Sequence, residues 1–152
     1  RQMCIRDSYY SPEVMNEQAG ALGKACAKAI EDSGKKVVLI SSHSLSHRHF
    51  VTESPLPEDM SREHIYNHSQ YVWDMKLVDM MRGGKMREVI DIMPEYTEQT
   101  IAETEAGGLT WMMSAMGYPD YPAEIYGYQS VIGTGNLIAA WDPMEATREI
   151  VL

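Results

Sequence analysis

The chain has few of the features that mark secreted, nucleic-acid-binding or membrane proteins. Its two cysteines, Cys4 and Cys26, have no metal-ligand spacing, which favours a reducing, cytoplasmic setting. Thirteen basic residues stand against 22 acidic ones, and the net charge of −9 argues against nucleic acid or an anionic membrane as a partner. No apolar run approaches the roughly 20 residues that a membrane-spanning helix needs. With 44% hydrophobic and 23% charged residues, the 152-residue chain is globular and fits one domain or part of a larger one.

The chain also lacks an initiator methionine, and its first residues differ in character from the rest. Residues 3–8 resemble the translation of a transposase adapter used to prepare sequencing libraries. We therefore expect residues 1–8 to be an artefact that takes no part in the fold. We also expect native sequence to be missing upstream, so that residues 9–152 form the C-terminal half of a larger single domain.

A helix, a glycine and an apolar run near the start of the chain indicate an α/β fold. Ser11 and Pro12 have the pattern of a helix start, and apolar residues follow at spacings of three and four. Gly34 is placed to end this helix, and residues 37–40 have the composition of a buried strand of the parallel type. We predict a central, mostly parallel or mixed sheet flanked by helices. The sheet is expected to be incomplete, because the strand that should precede the first helix is not in this chain.

Four further helices are predicted downstream, over residues 67–82, 86–93, 95–105 and 109–116. Pro94 is expected to end the second of them, since proline interrupts helical hydrogen bonding. The third carries four acids that we interpret as a solvated face: Glu95, Glu98, Glu103 and Glu105. The chain's methionines fall mostly at helical core positions and are interpreted as core rather than as ligands.

The last part of the chain is predicted to be extended. Gly133-Thr134-Gly135 reads as a tight turn whose glycines permit close backbone packing near a site. Glu124 opens an apolar, tyrosine-rich stretch of this region. An acid in such a place is either at a sheet end in water or paired with a cation or metal, and the sequence leaves both open.

Three histidines, His43, His47 and His49, follow the apolar run and mark the first place to look for chemistry. Ligands of open α/β sheets gather at the carboxyl ends of strands, and histidine titrates near neutral pH. Three interpretations remain open: a local metal site, one catalytic histidine with passive neighbours, or hydrogen-bonded loop histidines without a function. His64 and His68 are four residues apart, but no flanking ligand supports a metal site, and we interpret them as surface residues.

Several segments resemble, in their order, class III extradiol ring-cleavage dioxygenases. They are Ser44-Leu45-Ser46-His47-Arg48, Trp73-Asp74-Met75, Met93-Pro94-Glu95-Tyr96, residues 110–118, and Ile132-Gly133-Thr134-Gly135-Asn136. The similarity covers about residues 14–141 and is closest to members that act on 2-aminophenol and on homoprotocatechuate. It implies that residues 9–152 are the C-terminal part of a catalytic, B-type dioxygenase domain.

The resemblance also implies a cofactor and a site. The family binds non-haem Fe(II) with two histidines and one glutamate, leaving open positions for substrate and O₂. By position, His47 matches the family's acid–base histidine and Glu124 matches its glutamate ligand. The two histidine ligands belong to the half that this chain lacks. The implied reaction is ring cleavage of a catechol or o-aminophenol type of substrate, in an oligomer that in some members contains a paralogous subunit.

Two other functions stay open at this point. One is a non-catalytic paralogous subunit that stabilises an active dioxygenase chain, which would lack at least one of the upstream histidine ligands. The other is a metal-dependent hydrolase that uses histidine and glutamate on a similar scaffold. Zinc in place of iron, without oxygen uptake, would favour the hydrolase.

Overall fold

The computed structural model describes residues 11–47, 67–131 and 133–143. These residues form four α-helices and a β-hairpin: α1 (Pro12–Ser33), α2 (His68–Arg82), α3 (Met86–Thr100), α4 (Gly107–Ala115), β1 (Glu124–Val131) and β2 (Thr134–Ala140). An irregular turn, Glu103–Ala106, joins α3 to α4. The expected artefact at residues 1–8, together with His49 and His64, lies outside the described residues.

The sheet differs from the predicted one. β1 and β2 pair antiparallel, and the described ranges contain no parallel strand. Residues 37–40 form neither helix nor strand, and Val38 and Ile40 are 84% and 78% exposed. The apolar run therefore has the composition of a buried strand, but no strand in the described part of the chain lies beside it. Composition predicts a preference for burial and does not supply the pairing partner.

The first helix begins and ends where the sequence predicts. The Ser11 hydroxyl accepts a hydrogen bond from the Val14 N–H at 3.3 Å. Gly34 ends α1 with φ 62 and ψ 14, a left-handed conformation that glycine adopts without strain. α1 packs closely on α4 because Gly23 has no side chain: a Cβ there would lie 2.5 Å from the Trp111 carbonyl oxygen.

α3 continues through Pro94, where the sequence predicts a stop. The proline removes one backbone hydrogen bond, to the Ile90 carbonyl, and Ile90 is 50% exposed, so water reaches that side of the helix. On the other side Met93, Tyr96 and Thr100 are buried. Burial of this face holds the helix together beyond Pro94, and the two helices predicted on either side of it are one.

The core lies among α2, α3 and α4 and contains several methionines. Four of them are almost fully buried: Met81, Met86, Met93 and Met113. The interpretation of methionines as core is confirmed for these residues. Within the described ranges, no helix has the length and apolar character needed to cross a bilayer.

Candidate functional site

The segment that ends at His47 is held by backbone hydrogen bonds on two sides. The Leu45 N–H donates to the Gly135 carbonyl at 2.9 Å, and the Gly135 N–H donates to the Ser46 carbonyl at 3.1 Å. The His47 N–H donates to the Thr100 carbonyl, at the end of α3, at 3.1 Å. The backbone of His47 is thereby fixed between β2 and α3, which is the support that a positioned acid–base group needs.

Gln70, a buried residue of α2, ties the same two segments together. Its Nε2 donates to the Thr100 carbonyl at 2.9 Å and to the His47 carbonyl at 3.2 Å. Both the N–H and the carbonyl of His47 are therefore hydrogen-bonded within the protein. The imidazole is carried on a backbone with little freedom to rotate.

Next to this segment, the carboxylate of Asp74 accepts four hydrogen bonds. Ser46 donates its N–H to Oδ1 at 3.0 Å and its hydroxyl to Oδ2 at 2.6 Å. The Tyr96 hydroxyl donates to Oδ1 at 3.0 Å, and the Tyr128 hydroxyl donates to Oδ2 at 2.6 Å. Asp74 is fully buried, and a buried carboxylate is costly unless such donors satisfy it. We call Asp74, Ser46, Tyr96 and Tyr128 the Asp74 cluster.

Gly135 fits against the Asp74 cluster because it has no side chain. A Cβ there would lie 2.5 Å from the Tyr128 hydroxyl and 2.7 Å from the Ser46 hydroxyl, and closer still to the Asp74 carboxylate. The Gly135 N–H also donates to the Ser46 hydroxyl oxygen at 3.2 Å. The interpretation of this turn as close backbone packing is confirmed.

Burial raises the pKa of Asp74 above its usual range, and the hydrogen bonds from Ser46, Tyr128 and Tyr96 oppose that rise only in part. The pKa of Tyr96 is also raised, first by burial and then by the charge of Asp74. Its hydroxyl consequently keeps its proton and remains a donor to the carboxylate.

The raised pKa of Asp74 gives a signed prediction for stability. The folded state binds this proton more readily than the unfolded chain, so the group stabilises most below its unfolded pKa and loses that contribution as pH rises through its folded pKa. We expect the difference in free energy of unfolding between wild type and Asp74→Asn to move against the wild type as the pH rises above about 4, the usual pKa of an aspartate. Urea unfolding at several pH values measures it.

Asp79→Asn is the matched control, because it makes the same change at an exposed position of α2. A difference that moves in favour of the wild type with rising pH would contradict the assigned direction.

Glu103 is a second acidic side chain that the structure brings to the histidine-bearing segment. Its Oε2 accepts hydrogen bonds from the Ser44 N–H at 2.7 Å and the Ser44 hydroxyl at 2.9 Å. Burial lowers the pKa of His43, and the negative charge of Glu103 offsets part of that effect. The assignment of Glu103 to a solvated helix face is therefore wrong: it is half-buried, in the turn after α3.

The backbone around Glu103 is strained. Ile101, Thr104, Glu105 and Ala106 have φ values of 51, 49, 52 and 57, in the left-handed region that favours glycine. Such conformations persist only where the surroundings impose them, and they cluster at functional sites. The turn thus holds Glu103 in place at a cost in local stability.

Glu124 lies elsewhere in the fold. It is the exposed first residue of β1, and its Oε2 accepts a hydrogen bond from the Tyr126 hydroxyl at 2.6 Å. The His47 segment meets the hairpin at the other end, where Ser130 pairs with Gly135. At the usual rise per residue, the strand between Ser130 and Glu124 spans about 20 Å. The structure does not bring Glu124 and His47 together, and the role of Glu124 as a ligand stays a prediction.

The remaining histidines do not complete a metal site within the described residues. His43 Nδ1 shares a 2.9 Å hydrogen bond with the Ser41 hydroxyl. His68 is exposed at the start of α2 and stacks on Tyr71, as expected for a surface residue. No three His, Cys, Asp or Glu side chains in the described ranges are placed to hold a metal ion.

An apolar cavity of about 320 Å³ lies among α1, α3 and α4. Its walls include Val89, Met93, Leu109 and Met113. It borders neither His47 nor Glu103, so it is not part of this site.

Comparison with known proteins gives the class of this chain. A family model described as the catalytic LigB subunit of aromatic ring-opening dioxygenase matches residues 5–139, and the chain therefore belongs to the LigB family. The resemblance found in the sequence motifs is confirmed.

Two characterised relatives make the comparison more specific. The chain is 46% identical over 138 residues to the 2-aminophenol 1,6-dioxygenase beta subunit of Pseudomonas sp. The aligned residues cover 91% of this chain and 45% of the relative. It is 27% identical over 105 residues to 3,4-dihydroxyphenylacetate 2,3-dioxygenase of Escherichia coli, covering 69% of this chain and 37% of the relative. The chain thus spans less than half the length of either relative.

Sequence reasoning missed Asp74 and Glu103. Asp74 had a visible signal, because it lies at helical spacing from Leu77, Val78 and Met81, on the stripe that α2 buries. An acid on a buried stripe is a candidate for a role in function. For Glu103 the signal was weaker: the two glycines that follow it shortly afterwards indicate an irregular turn rather than a continuous helix.

Proposed function

We propose that this chain is part of a non-haem Fe(II) enzyme that uses O₂ to open the ring of a catechol or o-aminophenol, with His47 as its acid–base residue. The observation that carries the proposal is the fixed segment that ends at His47, in a chain of the LigB family: Leu45 and Ser46 bond to β2, and His47 bonds to the end of α3. The two relatives are named for 2-aminophenol and 3,4-dihydroxyphenylacetate. Both names describe aromatic rings with two adjacent polar substituents, which supports this substrate class.

Iron fits the residues of this chain in part. Glu103 offers a half-buried carboxylate whose Oε1 is not engaged by Ser44, and a carboxylate is one member of the two-histidine, one-carboxylate iron site. The described residues contain no complete ligand group, so the other ligands must come from outside them. We propose Glu103 as the carboxylate ligand, with Glu124, matched by sequence position, as the alternative. Bound iron would supply the positions at which ring and O₂ meet.

His47 would move the protons of the reaction. Its imidazole nitrogen takes the proton of a ring hydroxyl or amino group as the substrate binds, and returns it later in the cycle. Such transfer requires that the imidazole lie within hydrogen-bond distance of the substrate. The fixed backbone of His47 meets this requirement only as long as the segment keeps its conformation.

Residues 37–40 support the further proposal of a larger sheet. Val38 and Ile40 are apolar, β-branched and largely exposed, and segments of this kind are normally covered by another strand or chain. We propose that they form a strand with sequence outside the described residues. The name of one relative, a beta subunit, supports an oligomeric enzyme. A cytoplasmic location is proposed on the scarcity of cysteine.

Oxygen uptake by the full-length protein that contains this chain tests the function. After anaerobic loading with Fe(II), we expect uptake with catechol or 2-aminophenol. His47→Ala should lower kcat by about 100-fold or more while iron is retained, since general acid–base groups contribute about that much. His68→Ala, at an exposed position, should leave the rate unchanged.

Three outcomes would overturn the proposal in different ways. Bound iron without oxygen uptake would indicate a non-catalytic partner subunit. Zinc with hydrolytic activity would indicate the hydrolase. Full activity in His47→Ala would remove His47 from the chemistry.

A further inference from the structure

We infer that Asp74 is a positioning residue for His47: the Asp74 cluster holds the preceding residue, Ser46, so that the imidazole faces the substrate. This inference rests on the proposed role of His47 and assigns a new task to a residue of α2. Asp74 would touch neither substrate nor metal. It would act on the rate through the backbone that carries His47.

Asp74 holds both the backbone and the side chain of Ser46. The carboxylate receives both the N–H of Ser46, at 3.0 Å, and its hydroxyl, at 2.6 Å. Two bonds to one residue fix its backbone and its side chain together. The residue so fixed is the direct neighbour of His47, and rotation at Ser46 would break a buried, charge-assisted bond.

The same carboxylate also binds the hairpin. The Tyr128 hydroxyl of β1 donates to Oδ2 at 2.6 Å, the same oxygen that receives the Ser46 hydroxyl. The Gly135 N–H of β2 donates to the Ser46 hydroxyl oxygen at 3.2 Å. The His47 segment is therefore positioned relative to α2 and to the hairpin at once.

Position 74 is occupied by an acid although it is fully buried. Its neighbours on the buried face of α2 include Leu77, Val78 and Met81, and a similar apolar side chain would fill the core without desolvating a charge. Replacing buried polar groups by apolar ones is often neutral or stabilising. An acid at such a position costs stability, and costs of this kind are found where function requires them.

The residues that meet at the Asp74 cluster lie far apart in the sequence. Ser46, Asp74, Tyr96 and Gly135 come from four of the separate segments that carry the resemblance to ring-cleaving dioxygenases. In the structure these segments meet at one carboxylate. Four of the five segments that carry the resemblance thus contribute to the support of His47.

A double-mutant cycle on the full-length, iron-loaded protein tests the inference. Asp74→Asn should lower kcat by about 100-fold, with KM changed by less than about threefold, because a small misplacement of a reacting group costs about that much. In the His47→Ala background, where there is no imidazole to position, the same change should cost less than about threefold. Asp79→Asn, on the exposed face of α2, should change neither background.

Tyr128→Phe guards against a failure of Asp74→Asn to fold. It removes one hydroxyl donor at a half-buried position and keeps the ring. We expect a loss of kcat of about tenfold, absent in the His47→Ala background. Equal fold losses of kcat in both backgrounds, for either variant, would overturn the inference. An unchanged kcat in folded Asp74→Asn would also overturn it. Where Asp74→Asn does not fold, an unchanged kcat in Tyr128→Phe has the same meaning.

Hydrogen–deuterium exchange gives a readout that does not depend on activity. In Asp74→Asn, or in Tyr128→Phe if that is the variant that folds, the amides of Ser46 and His47 should exchange at least about tenfold faster, with those of α1 unchanged. Exchange at wild-type rates would overturn the inference even if activity is lost. If the wild-type protein cleaves no ring, the proposed function fails, and the exchange experiment still decides whether Asp74 holds the His47 segment.

Discussion

Glu103→Gln is expected to remove the proposed iron from the full-length protein and with it the proposed ring-cleaving activity. A ligand's hydrogen-bonding partner alone is worth about 10- to 100-fold in metal affinity, so loss of the ligand's charge should cost more than about 100-fold. Glutamine keeps a carbonyl oxygen for the Ser44 N–H and hydroxyl, so the turn should keep its shape. The measurement is the iron content after anaerobic loading and desalting, beside oxygen uptake.

Glu124→Gln decides between the two carboxylates. If Glu103 is the ligand, Glu124→Gln keeps its iron, since it changes an exposed residue at the far end of β1. Glu98→Gln, on the exposed face of α3, is the control for removing one negative charge. Iron lost from Glu124→Gln and kept by Glu103→Gln would return the role to Glu124 and would mean that the site is assembled differently in the full-length protein.

Of the single methyl groups that could be added to the hairpin, the one added by Gly135→Ala should destabilise the protein most. The new Cβ would collide with the Tyr128 and Ser46 hydroxyls and with the Asp74 carboxylate, all of them buried or half-buried. Inserting a methyl into a packed core costs about 1–3 kcal/mol, and here it would also break hydrogen bonds to a buried carboxylate, so we expect a loss of about 3 kcal/mol or more. Urea unfolding measures the change.

Gly127→Ala is the matched control in the neighbouring strand. No atom lies within 4 Å of the position of a Cβ there, and its φ is not positive. We expect the free energy of unfolding to change by less than about 1 kcal/mol. Equal effects of the two substitutions would show that the Asp74 cluster can move aside, and would weaken the case for a rigid site.

The sequence predicts an element well where its limits are set locally. α1 and α2 have the predicted limits because local residues set them: Ser11 and Asn67 cap their first turns, and Gly34 and Gly83 follow their last. The prediction that Pro94 ends a helix was wrong because packing dominates there over a local rule. The helix continues because burial of one face stabilises it by more than the loss of one hydrogen bond costs. At residues 37–40 the sequence predicts a strand that the structure does not contain. A strand requires a neighbouring strand, which local composition cannot provide.

The site was predictable only in part for the same reason. His47 was found from its place after an apolar run and from the surrounding motif, both of which are visible along the chain. Glu103 reaches the segment because α3 ends at Thr100 and a strained turn follows, and strain leaves almost no trace in composition. The sequence also gave no distance between His47 and Glu124, which only the register of the hairpin reveals.

The Asp74 cluster also constrains the order in which the parts of the chain can fold. Its bonds join distant parts of the chain, and the bond from Gly135 to Ser46 spans 89 positions. Contacts of such long sequence separation form late, because the intervening loop must close before they can contribute. During synthesis the helices can form as they leave the ribosome, but Ser46 cannot be fixed until the hairpin has emerged. The segment that carries His47 is therefore among the last parts of the described structure to reach its final conformation.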